Sequence, residues 1–183
     1  MKLTAALALV LLFSVPAAAQ TPAGEVPVTT PVAAGAWTVT PFLSFTFGGN
    51  GDSSSLGLGG ALGYDFTDLL SVEGELAYVF DLIGDDEAAD WSVLSLGGNV
   101  LYHFPLANGM APYATAGLGL ARSNLRIADI NSDTAEVGFN FGGGIKAPLT
   151  GKFSARGDIR YFKYIDEGPD GWRIYGGVTW RVR

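Results

Sequence analysis

The sequence contains no cysteine, so disulfide bonds cannot stabilise the fold. Charged residues are also scarce, at 16% of the chain against a typical value of about 25%. Acidic residues outnumber basic ones, 18 to 11, and the net charge of −7 argues against a nucleic-acid partner. Because the chain has one histidine and no cysteine, we expect no transition-metal site, and we predict no cofactor.

Long apolar runs are absent after the first 13 residues, which argues against membrane-spanning helices. The single run, LTAALALVLLF, follows Lys2 and precedes AAAQ, the order found in a secretory signal peptide. We predict residues 1–19 as a signal peptide that is cleaved between Ala19 and Gln20. Residues 20–35, rich in proline and alanine, are predicted to form an extended, mobile periplasmic segment.

Bulky apolar residues alternate with small or polar ones from residue 36 to the end of the chain. This period of two predicts β-strands, because successive side chains of a strand point to opposite faces. Each segment is long enough to cross a membrane when tilted. Eight segments show the pattern: WTVTPFLSFTF, LGLGGALGYDF, SVEGELAYVF, WSVLSLGGNVLYHF, APYATAGLGLAR, EVGFNFGGGIKA, KFSARGDIRYFKYI and WRIYGGVTWRV.

The connections between these segments are predicted to alternate in length. Long polar connections are predicted at 49–55, 83–90, 123–135 and 166–171, and short ones with turn-forming residues at 67–69, 105–110 and 148–151. Alternation of this kind is typical of a membrane barrel with long outer loops and short periplasmic turns. It predicts that both chain ends lie on the periplasmic side.

The two faces of the segments differ in side-chain size. One face carries Trp, Leu, Val, Ile, Phe and Tyr, and the other carries Gly, Ala, Ser, Thr and nearly all the charges. The interior of an eight-stranded barrel is only wide enough for side chains to fill, so the bulky face does not fit inside. A soluble eight-stranded barrel would turn that face inward. We therefore predict an all-β fold, an eight-stranded antiparallel up-and-down transmembrane β-barrel over residues 36–183.

Charges on the small-residue face are predicted to meet inside the barrel. The third and seventh segments stand opposite each other in a ring of eight, so Glu73 and Glu75 can reach Arg156 and Arg160. Because buried charges require partners, we predict a closed lumen core held by salt bridges. Its predicted members are Asp65, Glu73, Glu75, Lys146, Arg156, Asp158, Arg160 and Arg181, four of each sign.

Catalysis is the alternative use of paired carboxylates. The nearby arginines favour a structural pairing instead. His103 is the only imidazole available to a nucleophile, and it is predicted to face inward at the periplasmic end, bonded to a neighbour such as Glu73. We predict no catalytic, cofactor-binding or metal-binding residues.

Several stretches resemble the outer-membrane protein β-barrel family, the OmpA/OmpX-like group: LGYDFTDLLSVEGELAYVF, LSLGGNVLYHFP, APYATAGLGLA, FGGGIKAPLTGKFSARGDIRYF and GWRIYGGVTWRV. This resemblance implies an integral barrel in the outer membrane of a Gram-negative cell. It implies as partners the outer-membrane lipid, lipopolysaccharide and the barrel-assembly machinery. Gly177, Val178 and Trp180 resemble the signal that this machinery recognises, although Val182 stands where an aromatic residue is usual.

Two charges lie on the bulky face, Arg122 and Lys163, both at strand ends beside predicted long connections where they can reach past the hydrocarbon. Together with Arg126, they are predicted to contact lipopolysaccharide phosphates. The long connections are acidic, and whether they bind divalent cations stays open.

These features predict a structural or surface-interaction role without enzymatic activity, in which a rigid, monomeric barrel presents four extracellular loops to a surface ligand that the sequence does not identify. The alternative is a narrow channel for small solutes or ions, which requires water-filled space among the lumen charges. An enzyme acting on outer-leaflet lipid is a third hypothesis.

Overall fold

Eight β-strands form a closed barrel in the computed structural model, which describes residues 30–48, 54–81, 89–127, 130–165 and 170–182. Each strand pairs antiparallel with the next, and the last pairs with the first. The predicted eight-stranded antiparallel barrel is therefore confirmed. The strands are β1 Trp37–Phe47, β2 Ser55–Asp65, β3 Leu70–Asp81, β4 Ala89–His103, β5 Ala111–Ile127, β6 Ile130–Thr150, β7 Phe153–Tyr164 and β8 Gly171–Arg181.

The two ends of the barrel differ in how the strands are joined. Short connections at 66–69, 104–110 and 151–152 define what we term the turn end, and the opposite end is the loop end. Gly109 and Gly151 adopt φ values of 80° and 54°, a conformation that glycine reaches at least cost. No helix in the described ranges is long and apolar enough to cross a membrane.

One predicted loop is instead a strand hairpin. We predicted a long connection over 123–135, but the pairing of β5 with β6 continues to Ile127 and Ile130 and leaves only 128–129 between the strands. A strand that extends beyond a hydrocarbon layer needs no apolar face, so its polar composition resembles that of a loop. Residues 49–53, 82–88 and 166–169 lie outside the described residues.

Burial alternates along the strands as the sequence pattern predicts. In β1, Thr38 and Thr40 are buried, whereas Leu43 is 68% exposed. Leu118 of β5 is 67% exposed, and large apolar side chains are exposed on all eight strands. The interior carries mainly small, polar and charged side chains, together with a few apolar ones such as Phe42, Val79 and Leu101. An apolar belt that surrounds a polar interior is suited to lipid rather than to water.

Aromatic side chains concentrate towards both ends of this belt, with aliphatic side chains between them. Exposed examples are Trp37, Tyr102 and Trp180 towards the turn end, and Tyr78, Phe139 and Trp172 towards the loop end. Two such girdles are typical of barrels that cross a bilayer, where the rings lie at the membrane–water interfaces.

Residues 30–36, the N-terminal strap, bind the turn end of the barrel. The Ala33 amide donates to Asp65 Oδ2 at 3.2 Å, and the Ala34 amide donates to Asp68 Oδ1 at 3.1 Å. Val32 is buried. Part of the segment predicted to be mobile, residues 30–35, thus lies against the barrel, where Asp65 and Asp68 accept hydrogen bonds from two of its amides, and its mobility stays a prediction. The predicted signal peptide, its cleavage site and residues 20–29 lie outside the described residues.

Candidate functional site

Five charged side chains meet in the middle of the lumen and form what we term the ion-pair cluster: Glu73 and Glu75 from β3, and Arg156, Asp158 and Arg160 from β7. Period two places all five on the inner faces of their strands. Three strands separate β3 from β7 in either direction around the barrel. The ion pairs between these strands therefore span the interior.

Two arginine–glutamate ion pairs span the lumen between β7 and β3. Arg156 donates from Nη1 to Glu73 Oε2 at 2.5 Å and from Nη2 to Oε1 at 3.1 Å, which is a bidentate arrangement. Arg160 donates from Nη1 to Glu75 Oε2 at 2.9 Å. Arg160 Nη2 also lies 3.6 Å from Glu73 Oε1, so the two pairs form one connected network.

Asp158 lies between the two guanidinium groups on the same strand. Its carboxylate accepts from the Nε atoms of Arg156 and Arg160, each at 3.1 Å. The Tyr113 hydroxyl also donates to Asp158, and the Tyr175 hydroxyl donates to Glu75 Oε1 at 3.0 Å. Each carboxylate of the cluster thus accepts more than one hydrogen bond, which a buried charge needs in order to be stable.

Inward-facing glycines allow close packing around the ion-pair cluster. A Cβ atom at Gly142 would lie 2.7 Å from Arg160 Cα, and one at Gly144 would lie 2.6 Å from the Tyr113 hydroxyl oxygen. Real Cβ atoms do not approach so closely. Glycine at these two positions therefore lets β7 and the Tyr113 side chain approach β6 closely beside the cluster.

Three predicted members lie apart from the ion-pair cluster. Asp65, at the turn end, accepts from the Ser71 hydroxyl at 2.6 Å and from the strap. Lys146 is 2% exposed and forms no ion pair within 4.0 Å of any residue in the described ranges. Arg181 is the last residue of β8 and donates to the Thr30 carbonyl at 2.9 Å, so it does not join the cluster as predicted.

Arg173 is the inward-facing cation that the sequence prediction omitted. It is buried towards the loop end, with its guanidinium carbon 4.4 Å from the ring centroid of Phe162. It donates to Thr46 Oγ1 at 3.2 Å and to the Tyr175 hydroxyl at 3.4 Å. The alternation of the eighth segment already placed Arg173 on the inner face, but it did not specify the position of Arg173 along the barrel axis.

His103 bonds to Ser71 rather than to the predicted Glu73. The Ser71 hydroxyl donates its proton to Asp65, so His103 Nε2, 2.9 Å from Ser71 Oγ, must be the donor in their contact. A nucleophilic serine needs the opposite direction, in which the imidazole accepts the hydroxyl proton. All three side chains are buried, and their hydrogen bonds do not activate Ser71.

The charges on the outer face lie near the loop end. Arg122 is exposed, and the Lys163 ammonium donates to the carboxylate of Asp170, which precedes β8. This hydrogen bond holds the pKa of the Asp170 carboxyl below its usual value. The side chain of Arg126 lies outside the described residues. No group of three or more acidic, histidine or cysteine side chains in the described ranges is arranged to hold a metal ion.

Comparison with known proteins gives a consistent result at the level of the fold. The sequence model of the outer membrane protein beta-barrel domain matches residues 5–181. A search of curated proteins found no match.

Three solved structures that resemble the chain are outer-membrane barrels with low sequence identity to it. Neisserial surface protein A has a TM-score of 0.69 at 16% identity, over 81% of this chain and 97% of that one. Ail of Yersinia pestis has a TM-score of 0.61 at 14% identity, over 81% of this chain and 99% of that one. The N-terminal barrel domain of Pseudomonas aeruginosa OprF has a TM-score of 0.58 at 24% identity, over 81% of this chain and 98% of that one.

Proposed function

The chain belongs to the outer membrane protein β-barrel family, and from that premise we propose that it is a monomeric outer-membrane barrel with a closed lumen and a structural or surface-interaction role. In this arrangement the turn end faces the periplasm, and the connections of the loop end are presented at the cell surface. The barrel-assembly machinery inserts the chain, and the fold holds the connections in a fixed spacing.

The ion-pair cluster is the observation that carries this proposal. The interior of an eight-stranded barrel is only wide enough for side chains to fill. Here the side chains of Glu73, Glu75, Arg156 and Arg160 extend across it and are all 7% exposed or less. A solute that crossed the lumen would have to separate buried ion pairs, which strongly disfavours transport.

Contact with lipopolysaccharide is the second part of the proposal. Arg122 and Lys163 are outward-facing cations at the loop-end edge of an otherwise apolar surface. Guanidinium and ammonium groups at that height can bind the phosphates of the outer leaflet through charge-assisted hydrogen bonds. Replacing both residues by methionine should reduce the lipopolysaccharide retained by the refolded barrel, whereas Lys152→Met at the turn end should not. Equal retention by all three proteins would contradict this contact.

A surface ligand of the loop end is proposed to be neutral or cationic rather than polyanionic. Ail was crystallised in complex with the heparin analogue sucrose octasulfate. The present chain carries 18 acidic residues against 11 basic ones, with Asp85, Asp86 and Glu87 adjacent in the sequence between β3 and β4. Repulsion from these carboxylates would weaken the binding of a sulfated ligand.

The chemistry of the interior supports the proposed non-enzymatic role. The carboxylates of the ion-pair cluster are occupied by arginine and tyrosine donors, and the buried Ser71 hydroxyl donates to Asp65. Neither group is available as a general acid, a general base or a nucleophile.

Conductance across a planar lipid bilayer tests the closed lumen against the alternative of a narrow channel. The refolded wild-type barrel should give no conductance steps in potassium chloride. A variant in which Glu73, Glu75, Arg156 and Arg160 are all alanine should give discrete steps, because the spanning side chains are gone. Heat-dependent gel mobility must first establish that this variant is folded. Steps of equal size from both proteins would establish the channel and overturn the closed lumen.

A further inference from the structure

Pro41 interrupts the seam between β1 and β8, the strand pair that closes the barrel. On the turn side of this break, residues 38–39 pair with residues 180–181. On the loop side, residues 42–47 pair with residues 172–177. The two pairs missing between them need a hydrogen bond donated by the amide of residue 41, and proline has no amide hydrogen. A proline of this kind is typical of an edge strand, although β1 has a neighbour on both sides.

The loop-side part of the seam is held by side chains as well as by the ladder. The rings of Phe42 and Tyr175 pack edge to face across it, with centroids 5.1 Å apart. Arg173 Nε donates across it to Thr46 Oγ1 at 3.2 Å. The Tyr175 hydroxyl also donates to Glu75, which ties this part of β8 to the ion-pair cluster.

The turn-side part of the seam has a much shorter ladder. Beyond its paired residues, the Val182 amide donates to the Trp37 carbonyl at 2.8 Å. At the break itself the hydroxyl oxygens of Thr40 and Thr179 lie 2.9 Å apart, and both side chains are buried. A short stretch of ladder beside a break is where a sheet opens with the least loss of hydrogen bonds. The wall of the barrel is therefore weakest between Pro41 and the turn end.

The N-terminal strap joins the two sides of this weak part. Arg181, on β8, donates from Nη1 to the Thr30 carbonyl at 2.9 Å. At the other end of the strap, the Gly35 amide donates to the Asp65 carbonyl at 2.7 Å, and the Asp65 amide donates to the Ala36 carbonyl at 2.9 Å. Asp65 ends β2, which pairs with β1 without a break. The strap thus connects β8 to the β1–β2 pair at the turn end.

Apolar burial and hydrogen bonds hold the strap in place. Pro31 and Val32 are both buried, and removal of such side chains from water favours the attached state. The ion-pair cluster lies on β3 and β7, so detachment of the strap separates none of its ion pairs. The strap can therefore leave the barrel without disrupting the packed middle of the lumen.

We propose that the strap is a releasable clasp on the closing seam. While the strap is bound, β1 and β8 stay paired at the turn end. When the strap is released, the turn-side part of the seam separates as far as Pro41, and the loop-side part and the ion-pair cluster stay intact. The clasp thereby couples the position of the N-terminal segment to the wall of the barrel.

Hydrogen exchange of the refolded wild-type barrel tests the weak part of the seam without any variant. The Trp37 carbonyl accepts from β8, so strand alternation directs the amides of Val39 and Leu43 towards β8 as well. The Val39 amide, on the turn side of the break, should exchange faster than the Leu43 amide on the loop side. Faster exchange at Leu43 than at Val39 would overturn the proposal.

A release variant tests the clasp itself. Val32→Asp, Asp68→Ala and Arg181→Met together remove the buried apolar side chain, an acceptor and a donor that hold the strap. The exchange rate of the Val39 amide should rise roughly tenfold, whereas that of Leu43 should change by less than about twofold. Strap amides that stay protected, an equal rise at both positions or an unchanged rate at Val39 would each overturn the clasp.

Pro41→Val supplies the missing amide donor and tests the cause of the weakness. Added to the release variant, it should return the exchange rate of the Val39 amide to its wild-type value. Pro112→Val, which replaces a proline of β5 away from the seam, is the matched control and should not restore it. Lys152→Met, at the turn end but outside the strap contacts, should leave the wild-type rates unchanged. Failure of Pro41→Val to slow the exchange at Val39 would overturn the role of the break.

Discussion

Arg156 and Glu73 are joined by two parallel hydrogen bonds across the lumen, although 83 residues separate them in the chain. One residue belongs to β7 and the other to β3, on opposite sides of the barrel. This contact therefore fills the interior and also ties opposite walls together. It connects the stability of the barrel to the closure of its lumen.

Replacing Glu73 by glutamine should destabilise the barrel by about 3 kcal/mol, because it leaves the buried Arg156 guanidinium without its countercharge. Urea unfolding in lipid vesicles, followed by tryptophan fluorescence, measures this change. Glu136→Gln is the matched control, since Glu136 forms no ion pair with the described residues, and it should have little effect. Equal stability of the two variants would contradict the proposed role of the cluster.

The double variant Glu73→Leu, Arg156→Met should recover most of the stability that Glu73→Gln loses. Removing both partners leaves no unpaired buried charge, and such replacements are often neutral. The same urea titration measures the result. A double variant that is less stable than Glu73→Gln would show that the bridge stabilises the barrel beyond the cost of an orphaned charge.

Leu118→Arg should lower the free energy of unfolding by about 2–4 kcal/mol, which is the penalty for a charge on the lipid face near the middle of the membrane. Ile165→Arg is the control, because Ile165 is exposed to a similar extent, 69% against 67%, but lies beyond the end of β7. Ile165→Arg should lower the free energy of unfolding by about 1 kcal/mol or less. Equal unfolding energies in vesicles would argue that no hydrocarbon surrounds Leu118.

Gly59 and Gly74 should respond differently to alanine. A Cβ atom at Gly59 would lie 2.5 Å from the Phe42 ring, whereas one at Gly74 has nothing within 4 Å. Gly59→Ala should destabilise the barrel by about 1–3 kcal/mol through overpacking. Gly74→Ala should be neutral or should stabilise it by up to about 1 kcal/mol. The reverse order in urea unfolding would contradict the inward packing of β2.

The N-terminal strap should protect backbone amides from hydrogen exchange. The amides of Ala33 and Gly35 donate to the side chain and the carbonyl of Asp65. Asp65→Ala, which removes both acceptor oxygens, should raise the exchange rate of the Ala33 amide roughly tenfold, as expected when a hydrogen bond worth about 1.5 kcal/mol is lost. The Gly109 amide, bonded to the Leu106 carbonyl at the same end, is the internal reference. Unprotected strap amides in the wild type would support the mobile segment predicted from the sequence.

Period two in the sequence was sufficient to predict the strands and the face that each residue occupies. Glu73, Glu75, Arg156 and Arg160 could therefore be assigned to opposite inner walls without a structure. A period of two specifies the face of a residue but not its height along the barrel axis. Height depends on strand tilt and stagger, which the sequence pattern does not encode.

The two arginines of β8 illustrate this limit. Arg173 and Arg181 share one parity, but Arg173 is buried on Phe162 and Arg181 binds the strap at the turn end. Local polarity was also misleading for 123–135, where backbone pairing continues through polar residues. The strap could not be predicted, because its amides donate to aspartate side chains that lie 32 and 34 residues away in the sequence, and no local pattern encodes such a contact.

Site-directed spin labelling tests the orientation of the two faces most directly, because a chain without cysteine takes a label only where one is introduced. A nitroxide at Leu118→Cys in the vesicle-inserted barrel should be accessible to oxygen dissolved in lipid and shielded from a water-soluble nickel chelate. A nitroxide at Ser95→Cys should be shielded from lipid oxygen. High accessibility of position 118 to the nickel chelate, together with high accessibility of position 95 to lipid oxygen, would contradict an apolar exterior around a charged interior.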